Sequence, residues 1–112
     1  MDATELVRAH YEALDRDEYD RFESLLVPEF THERPDRTLT GRDAFVEFMR
    51  HGRTLKDTTH ELRKVVVDGE TAVAEGTLRD ADGDELFTFA DVHEFADGRI
   101  REIRTYTDYR GD

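Results

Sequence analysis

Residues 65–106 read VVVDGETAVAEGTLRDADGDELFTFADVHEFADGRIREIRTY, and this stretch decides the fold. Three Asp-Gly pairs punctuate it: Asp68-Gly69, Asp82-Gly83 and Asp97-Gly98. Both residue types tolerate positive φ, so Asp-Gly between apolar runs is a strong hairpin signal. The intervening runs are rich in β-branched and aromatic residues: Val65 to Val67, Thr71 to Ala74, Leu86 to Phe89 and Ile100 to Tyr109. Four long strands in an antiparallel meander are predicted. Side chains alternate along a strand, so Phe87, Phe89, Asp91, His93 and Phe95 share one face, and Leu86, Thr88, Ala90, Val92 and Glu94 the other. The aromatic face is expected to meet helices. The second face is apolar enough to predict a homodimer formed through the outer sheet face.

Upstream, the hydrophobic period becomes helical. Asp2 precedes Glu5 by three residues, a capping-box start, and Leu6, Val7, His10, Tyr11 and Leu14 follow at helical spacing. A second, short helix carries Tyr19, Phe22, Leu25 and Leu26 and is predicted to end at Pro28. Phe30 to Arg34 reads as a short strand, and Pro35 to Gly41 as a loop. Thr40 is placed to cap a third helix that packs Phe45, Phe48 and Met49 and stops near Gly52. Helices first and a meander second predict an α+β domain over 1–112, three N-terminal helices covering one face of a curved, mainly antiparallel sheet.

Composition narrows the function classes. The chain has no cysteine, which excludes disulfides and thiolate chemistry. Its longest apolar runs are a few residues, too short to span a membrane as a helix. Met1-Asp2-Ala3-Thr4-Glu5 is acidic and leads directly into the amphipathic pattern, unlike a signal peptide, so the expected location is cytoplasmic. There are 28 Asp and Glu against 16 Lys and Arg, a net charge of -12, and only Lys56 and Lys64 are lysines. Such a surface repels nucleic acid and anionic membrane. It also fits a salt-rich cytoplasm, and a halophilic source is expected, because screening relieves the self-repulsion there. The single serine, Ser24, has no Gly-rich elbow around it, and no phosphate-cradling glycine motif is present.

The order of these elements is familiar. Val7, Tyr11-Glu12-Ala13-Leu14, the Asp20 to Leu26 helix, Gly41 to Phe48, His60, Asp68-Gly69, Phe95-Ala96-Asp97-Gly98-Arg99-Ile100 and Tyr106-Thr107-Asp108 carry the likeness. Together the chain resembles the nuclear transport factor 2-like superfamily and, within it, the SnoaL-like polyketide cyclase group. The resemblance implies a cone in which a bent sheet wraps a long helix, with a pocket for a small molecule opening between them. Members include isomerases, dehydratases, cyclases, epoxide hydrolases and proteins with no catalytic role, so the fold constrains the pocket and not its use. Against the steroid isomerase branch, Asp91 matches an aspartic acid that donates a hydrogen bond. His10 stands where that branch places a tyrosine, and Arg34 where it places the aspartate base. The Arg and Asp pair that the epoxide hydrolase branch carries on its third strand is replaced here by Glu75-Gly76-Thr77-Leu78.

Asp91 is the leading candidate. A carboxyl among aromatic rings has its charged form disfavoured by desolvation, and such a group can act as an acid or hydrogen-bond donor near neutrality. The structural alternative is an ion pair with Arg34 or Arg104. His93, His32 and His10 are the candidate proton-carrying partners, each with the alternative of a buried, satisfied histidine. Tyr11, Leu14, Phe30, Arg34, Phe45, Phe48, Met49, His60, Phe87, Phe89, Ile103 and Thr105 are expected to line the pocket. Arg34 and Arg37 flank Pro35, where they would either grip an anionic group or pair with surface acids. His51 is expected to face solvent. No HxH or HExxH spacing is present, so neither a metal nor a cofactor is predicted. On the last strand, either Ile103, Thr105 and Thr107 or Arg104, Tyr106 and Asp108 face inward, and the resemblance favours the first set. The function predicted is a small-molecule pocket with proton transfer of an isomerase, cyclase or dehydratase kind on a carbonyl or hydroxyl compound. The alternative is a non-catalytic binding or dimeric adaptor module.

Overall fold

Helix α1, Ala3–Asp15, starts as its spacing predicts. The Asp2 carboxylate accepts the Glu5 amide at 2.8 Å, and the Glu5 carboxylate accepts the Asp2 amide at 3.0 Å. This capping box satisfies amides that have no partner within the helix. Leu6, Val7, Ala9, His10, Tyr11, Ala13 and Leu14 are all buried, too broad a set for one narrow stripe. In the computed structural model, which describes residues 1–52 and 56–108, α1 packs against the sheet and against helix α2, Tyr19–Ser24.

Two sequence expectations fail around Pro28. It does not end a helix: α2 closes at Leu25, and strand β1 already spans Leu26–Glu33. Pairing of β1 with the last strand runs Leu26 to Ile100 and resumes at Thr31 opposite Glu102. Pro28 stands in that interruption, where no ladder amide is required. The expected loop after Pro35 also contains a strand, β2, Thr38–Thr40, paired antiparallel with β1. Helix α3, Arg42–Glu47, is capped by Gly41 and not by Thr40. Gly41 has φ 94°, which glycine adopts without a steric penalty, and its amide donates to the Phe30 carbonyl at 2.7 Å. The chain continues through a wider π-type turn, Phe48–Gly52.

The meander forms as predicted: β3, Thr59–Asp68; β4, Thr71–Arg79; β5, Glu85–Ala96; β6, Arg99–Thr107. The six strands run in the order β2-β1-β6-β5-β4-β3, all neighbours antiparallel except β1 and β6. The register of β5 shifts against β6 between Glu94 and Phe95: Phe95 faces Ile100, whereas His93 faces Ile103. One extra residue in β6 therefore lets Ile100 and Ile103, three apart, both point inward. It also settles the open choice on the last strand, since Thr105 and Thr107 follow Ile103 onto the inner face. Phe22, Leu26, Phe30, Phe45, Ile100 and Ile103 fill the space between helices and sheet. At Gly76 the packing leaves no room for a side chain: an added Cβ would collide with the Glu61 carbonyl of β3 and meet the Phe89 ring at 3.1 Å.

The outer face exposes Val66 (50%), Val73 (37%), Leu86 (37%) and Tyr106 (57%). Beside them Arg104 pairs with Glu94 and Glu102, each at 3.0 Å. Among the described residues, no helix is long and apolar enough to cross a membrane.

Candidate functional site

Alternation along β5 turns Asp91 inward, with Ala74 of β4 on one side and Thr105 of β6 on the other. Ala74 is small, so the space over the carboxyl is taken by α1. The Tyr11 hydroxyl donates to Asp91 Oδ2 at 2.6 Å, and the Thr105 hydroxyl donates to Oδ1 at 2.6 Å. Thr105 Oγ1 also lies 2.8 Å from His32 Nε2 on β1. Four residues from α1, β1, β5 and β6 thus form one chain of hydrogen bonds: Tyr11, Asp91, Thr105, His32. Asp91 is only 7% exposed.

Neither arginine expected as its structural alternative pairs with Asp91. Arg104 points to the outer face and holds Glu94 and Glu102, while Arg34 lies 3.3 Å from Asp36. Arg34 and Arg37 both stack on the Phe48 ring, at 5.5 and 5.0 Å from its centre, and both pair with Asp36. Phe48 is partly buried and meets guanidinium groups on one side.

The histidines divide. His10 and His93 are buried, with ring centres 5.6 Å apart, edge to face. Among the described residues, neither ring nitrogen of His10 has a hydrogen-bond partner, nor does His32 Nδ1. Burial lowers the pKa of His10 well below its ordinary value, and His93, His60 and His32 push it further down. Burial also lowers His93, although the Asp91 carboxylate and the backbone of Asp91 and Ala72 oppose it. His32 is lowered to about 4, by burial first, with Arg34 and His93 adding and Asp91 and Asp36 opposing. All three are neutral at pH 7. Tyr11 moves the other way: burial and then the Asp91 charge raise it well above 10, so it keeps its proton.

His60 serves elsewhere. Its Nδ1 lies 2.6 Å from Asp15 Oδ1, and its amide donates to Asp15 Oδ2 at 2.9 Å, tying β3 to the end of α1. Its ring still stands 5.0 Å from Tyr11, at the border of the cluster. His51 is exposed, as expected. Of the lining candidates, Tyr11, Leu14, Phe30, Phe45, Met49, Phe89 and Ile103 are buried, while Arg34, Phe48, His60, Phe87 and Thr105 are partly buried. Phe45 meets His32 edge to face at 5.0 Å, and Phe89 lies 5.8 Å from Tyr11. An open groove of about 460 Å³, lined by Asp17 to Arg21 and Arg50, shares no residue with this cluster.

Tyr11 and Thr105, expected as pocket-lining residues, hold the carboxyl directly. The readable signal for Tyr11 was a phenol adjacent to His10 on an already broad inner face. For Thr105 no local signal existed, because its position depends on the bulge. Among the described residues, His10, His32, His60 and His93 form no group of three or more close enough to share a metal ion. Among the described residues, the one group of acids close enough to share a cation is Asp80, Asp82 and Asp84 in the β4–β5 turn. There Asp80 Oδ1 accepts the amides of Asp82 and Asp84 at 3.0 and 2.9 Å, which accounts for the cluster as turn closure.

Comparison with curated proteins gives no match. Solved structures share the fold at low identity. A candidate ketosteroid isomerase from Kribbella flavida superposes with a TM-score of 0.82 at 19% identity, covering 96% of this chain and 78% of that one. A candidate polyketide cyclase from Sinorhizobium meliloti gives 0.80 at 17%, covering 91% and 94%. An LEH-like epoxide hydrolase from M. tuberculosis gives 0.80 at 22%, covering 93% and 80%. The family model of the SnoaL-like domain matches residues 7–103, nearly the whole chain and every element from α1 to β6. The chain therefore belongs to the SnoaL-like domain family.

Proposed function

We propose that this protein binds a small, uncharged organic molecule carrying a carbonyl or hydroxyl, in a pocket between α1 and the inner sheet face, and transfers a proton on it. The observation that carries the reading is the buried Asp91 carboxyl, held by two hydroxyls and no arginine, amid three neutral histidines. A structural ion pair would satisfy such a carboxyl with a cation, whereas hydroxyls leave its charge available to a developing positive group. Neutral imidazoles offer donors and acceptors without fixing a charge, which favours an uncharged ligand over an anion. The reaction class is isomerase, cyclase or dehydratase, without a cofactor. Hydrolysis of the epoxide type is not proposed, since β4 presents Ala72, Ala74, Gly76 and Leu78 inward, with no charged group among them.

A panel of small ketones and hydroxyketones in deuterated water tests this. Exchange of carbon-bound hydrogens, followed by NMR, is expected with the native chain and should fall about 100-fold or more in Asp91→Asn, within the range for loss of a general acid or base. Ligand-induced thermal shifts without exchange would instead favour the binding module. Exchange unchanged in Asp91→Asn would remove Asp91 from the chemistry.

The outer face favours a homodimer as well. Val66 and Val73 stand side by side on β3 and β4, and Tyr106 is the most exposed large hydrophobic side chain of the sheet. The net charge of -12 opposes association, so salt should strengthen it, as suits a halophilic setting. Light scattering at micromolar concentration is expected to give twice 13.1 kDa in molar salt. A 13.1 kDa particle in both low and molar salt would refute the dimer.

A further inference from the structure

The order of protons along the Asp91–Thr105–His32 chain follows from counting donors. A threonine hydroxyl has one proton and two lone pairs, and a neutral imidazole has one N–H and one lone pair. Thr105 Oγ1 contacts Asp91 Oδ1 at 2.6 Å and His32 Nε2 at 2.8 Å, and it can donate to only one of them. Both oxygens of Asp91 accept at 2.6 Å, the length of an O–H donor on a carboxylate. The Thr105 proton is then committed to Asp91, and the Nε2–H of His32 must donate to Thr105.

We infer that Thr105 is a positioning residue that locks His32 in its Nε2–H tautomer, leaving Nδ1 as the proton-accepting atom and linking it through the threonine hydroxyl to Asp91. His32 Nδ1 is buried and, among the described residues, without a hydrogen-bond partner. A proton arriving at Nδ1 releases the Nε2 proton to Thr105 Oγ1, and the proton of Thr105 passes to Asp91 Oδ1. The donor loses one proton, Asp91 gains one, and His32 ends neutral in the Nδ1–H form. No histidine needs to remain charged, which suits a ring buried at 8% exposure against Phe45. The charged or titratable groups around the ring are Asp91 and His93 from β5, His10 from α1, and Arg34 and Asp36 beyond β1. None of these touches Nδ1 as a hydrogen-bond partner. This assignment deepens the proposed proton-transfer reading by naming its base atom, and its test needs no substrate.

The experiment is nitrogen-15 NMR of the full chain, with the His32 ring assigned. The expected spectrum has a protonated, pyrrole-type Nε2 and an unprotonated, pyridine-type Nδ1. Thr105→Val removes the acceptor of Nε2–H and should abolish this fixed pattern, whereas Thr105→Ser should retain it. A wild-type ring protonated at Nδ1 would overturn the inference, since it would mean that Asp91 donates to Thr105. An unchanged pattern in Thr105→Val would overturn it too. If that variant does not fold, the wild-type tautomer and Thr105→Ser decide. Hydrogen exchange with ketones that persists beside an Nδ1–H ring would sink the relay and leave the proton-transfer function standing. The Nε2–H ring without any exchange would do the reverse.

Discussion

Lowering the pH from about 7.5 to about 5 is expected to destabilise the fold by several kcal/mol, through histidines that are buried neutral. His10, His32 and His93 all have folded pKa values below that of a free imidazole. The unfolded chain therefore binds protons first as pH falls. Stability is complete above about 6.5, the unfolded value, and declines below it until each folded pKa is reached, about 4 for His32. Each histidine contributes a slope of about 1.4 kcal/mol per pH unit inside its window, and His32 alone about 3 kcal/mol over the whole of it. A competing effect has the opposite sign. Acid reduces the net charge of -12 and relieves self-repulsion. High salt suppresses that contribution and leaves the buried sites largely unscreened. Urea unfolding in high salt across this range measures the slope, and His10→Leu should reduce it whatever it does to stability at neutral pH. A flat profile would mean that these rings take up protons without unfolding.

The inward placement of Asp91 was legible because strand alternation is local. The Phe87, Phe89, Asp91, His93, Phe95 series fixes one face without knowledge of any partner strand. What holds Asp91 was not legible. An unbulged hairpin counted from Asp97-Gly98 sets Arg104 opposite Asp91, the ion pair weighed as its structural alternative. The extra residue in β6 moves Thr105 into that place and turns Arg104 outward. The sole trace in the sequence is the spacing of three between Ile100 and Ile103, which no regular strand can bury on one face. His32 poses a harder problem. It reaches Thr105 because β1 lies parallel to β6, a pairing between segments about seventy residues apart that no local pattern encodes. Pro28 misled for a related reason. A proline ends a helix or avoids a ladder bond with equal ease, and only the irregular register of β1 chooses between them. The hairpins, by contrast, depend on adjacent residues and form at the Asp-Gly pairs as predicted.

Replacing Asp91 by leucine is expected to cost about 2 kcal/mol or more, because it strands the Tyr11 hydroxyl in the core with no acceptor and leaves Thr105 only His32 to pair with. The informative measurement is what happens next. Removing those hydroxyls as well, in Asp91→Leu with Tyr11→Phe and Thr105→Val, should recover much of the loss, short of the cost of leaving His32 Nε2 without its Thr105 partner, since polar partners replaced together by apolar groups of similar shape are nearly neutral. The neighbours favour that outcome: Phe45, Phe89, Ala74 and Ile103 already surround the site with apolar surface. Chemical denaturation of the single and triple variants gives both numbers. A triple variant as stable as the native chain would show that the fold does not need this polar cluster, and a group kept at no structural benefit is explained by chemistry on a bound molecule. A triple variant no better than Asp91→Leu would mean that the hydrogen-bonded chain itself holds α1, β1, β5 and β6 together. Asp91 would then be a structural residue, and the search for function would move to the outer face around Val66, Val73 and Tyr106.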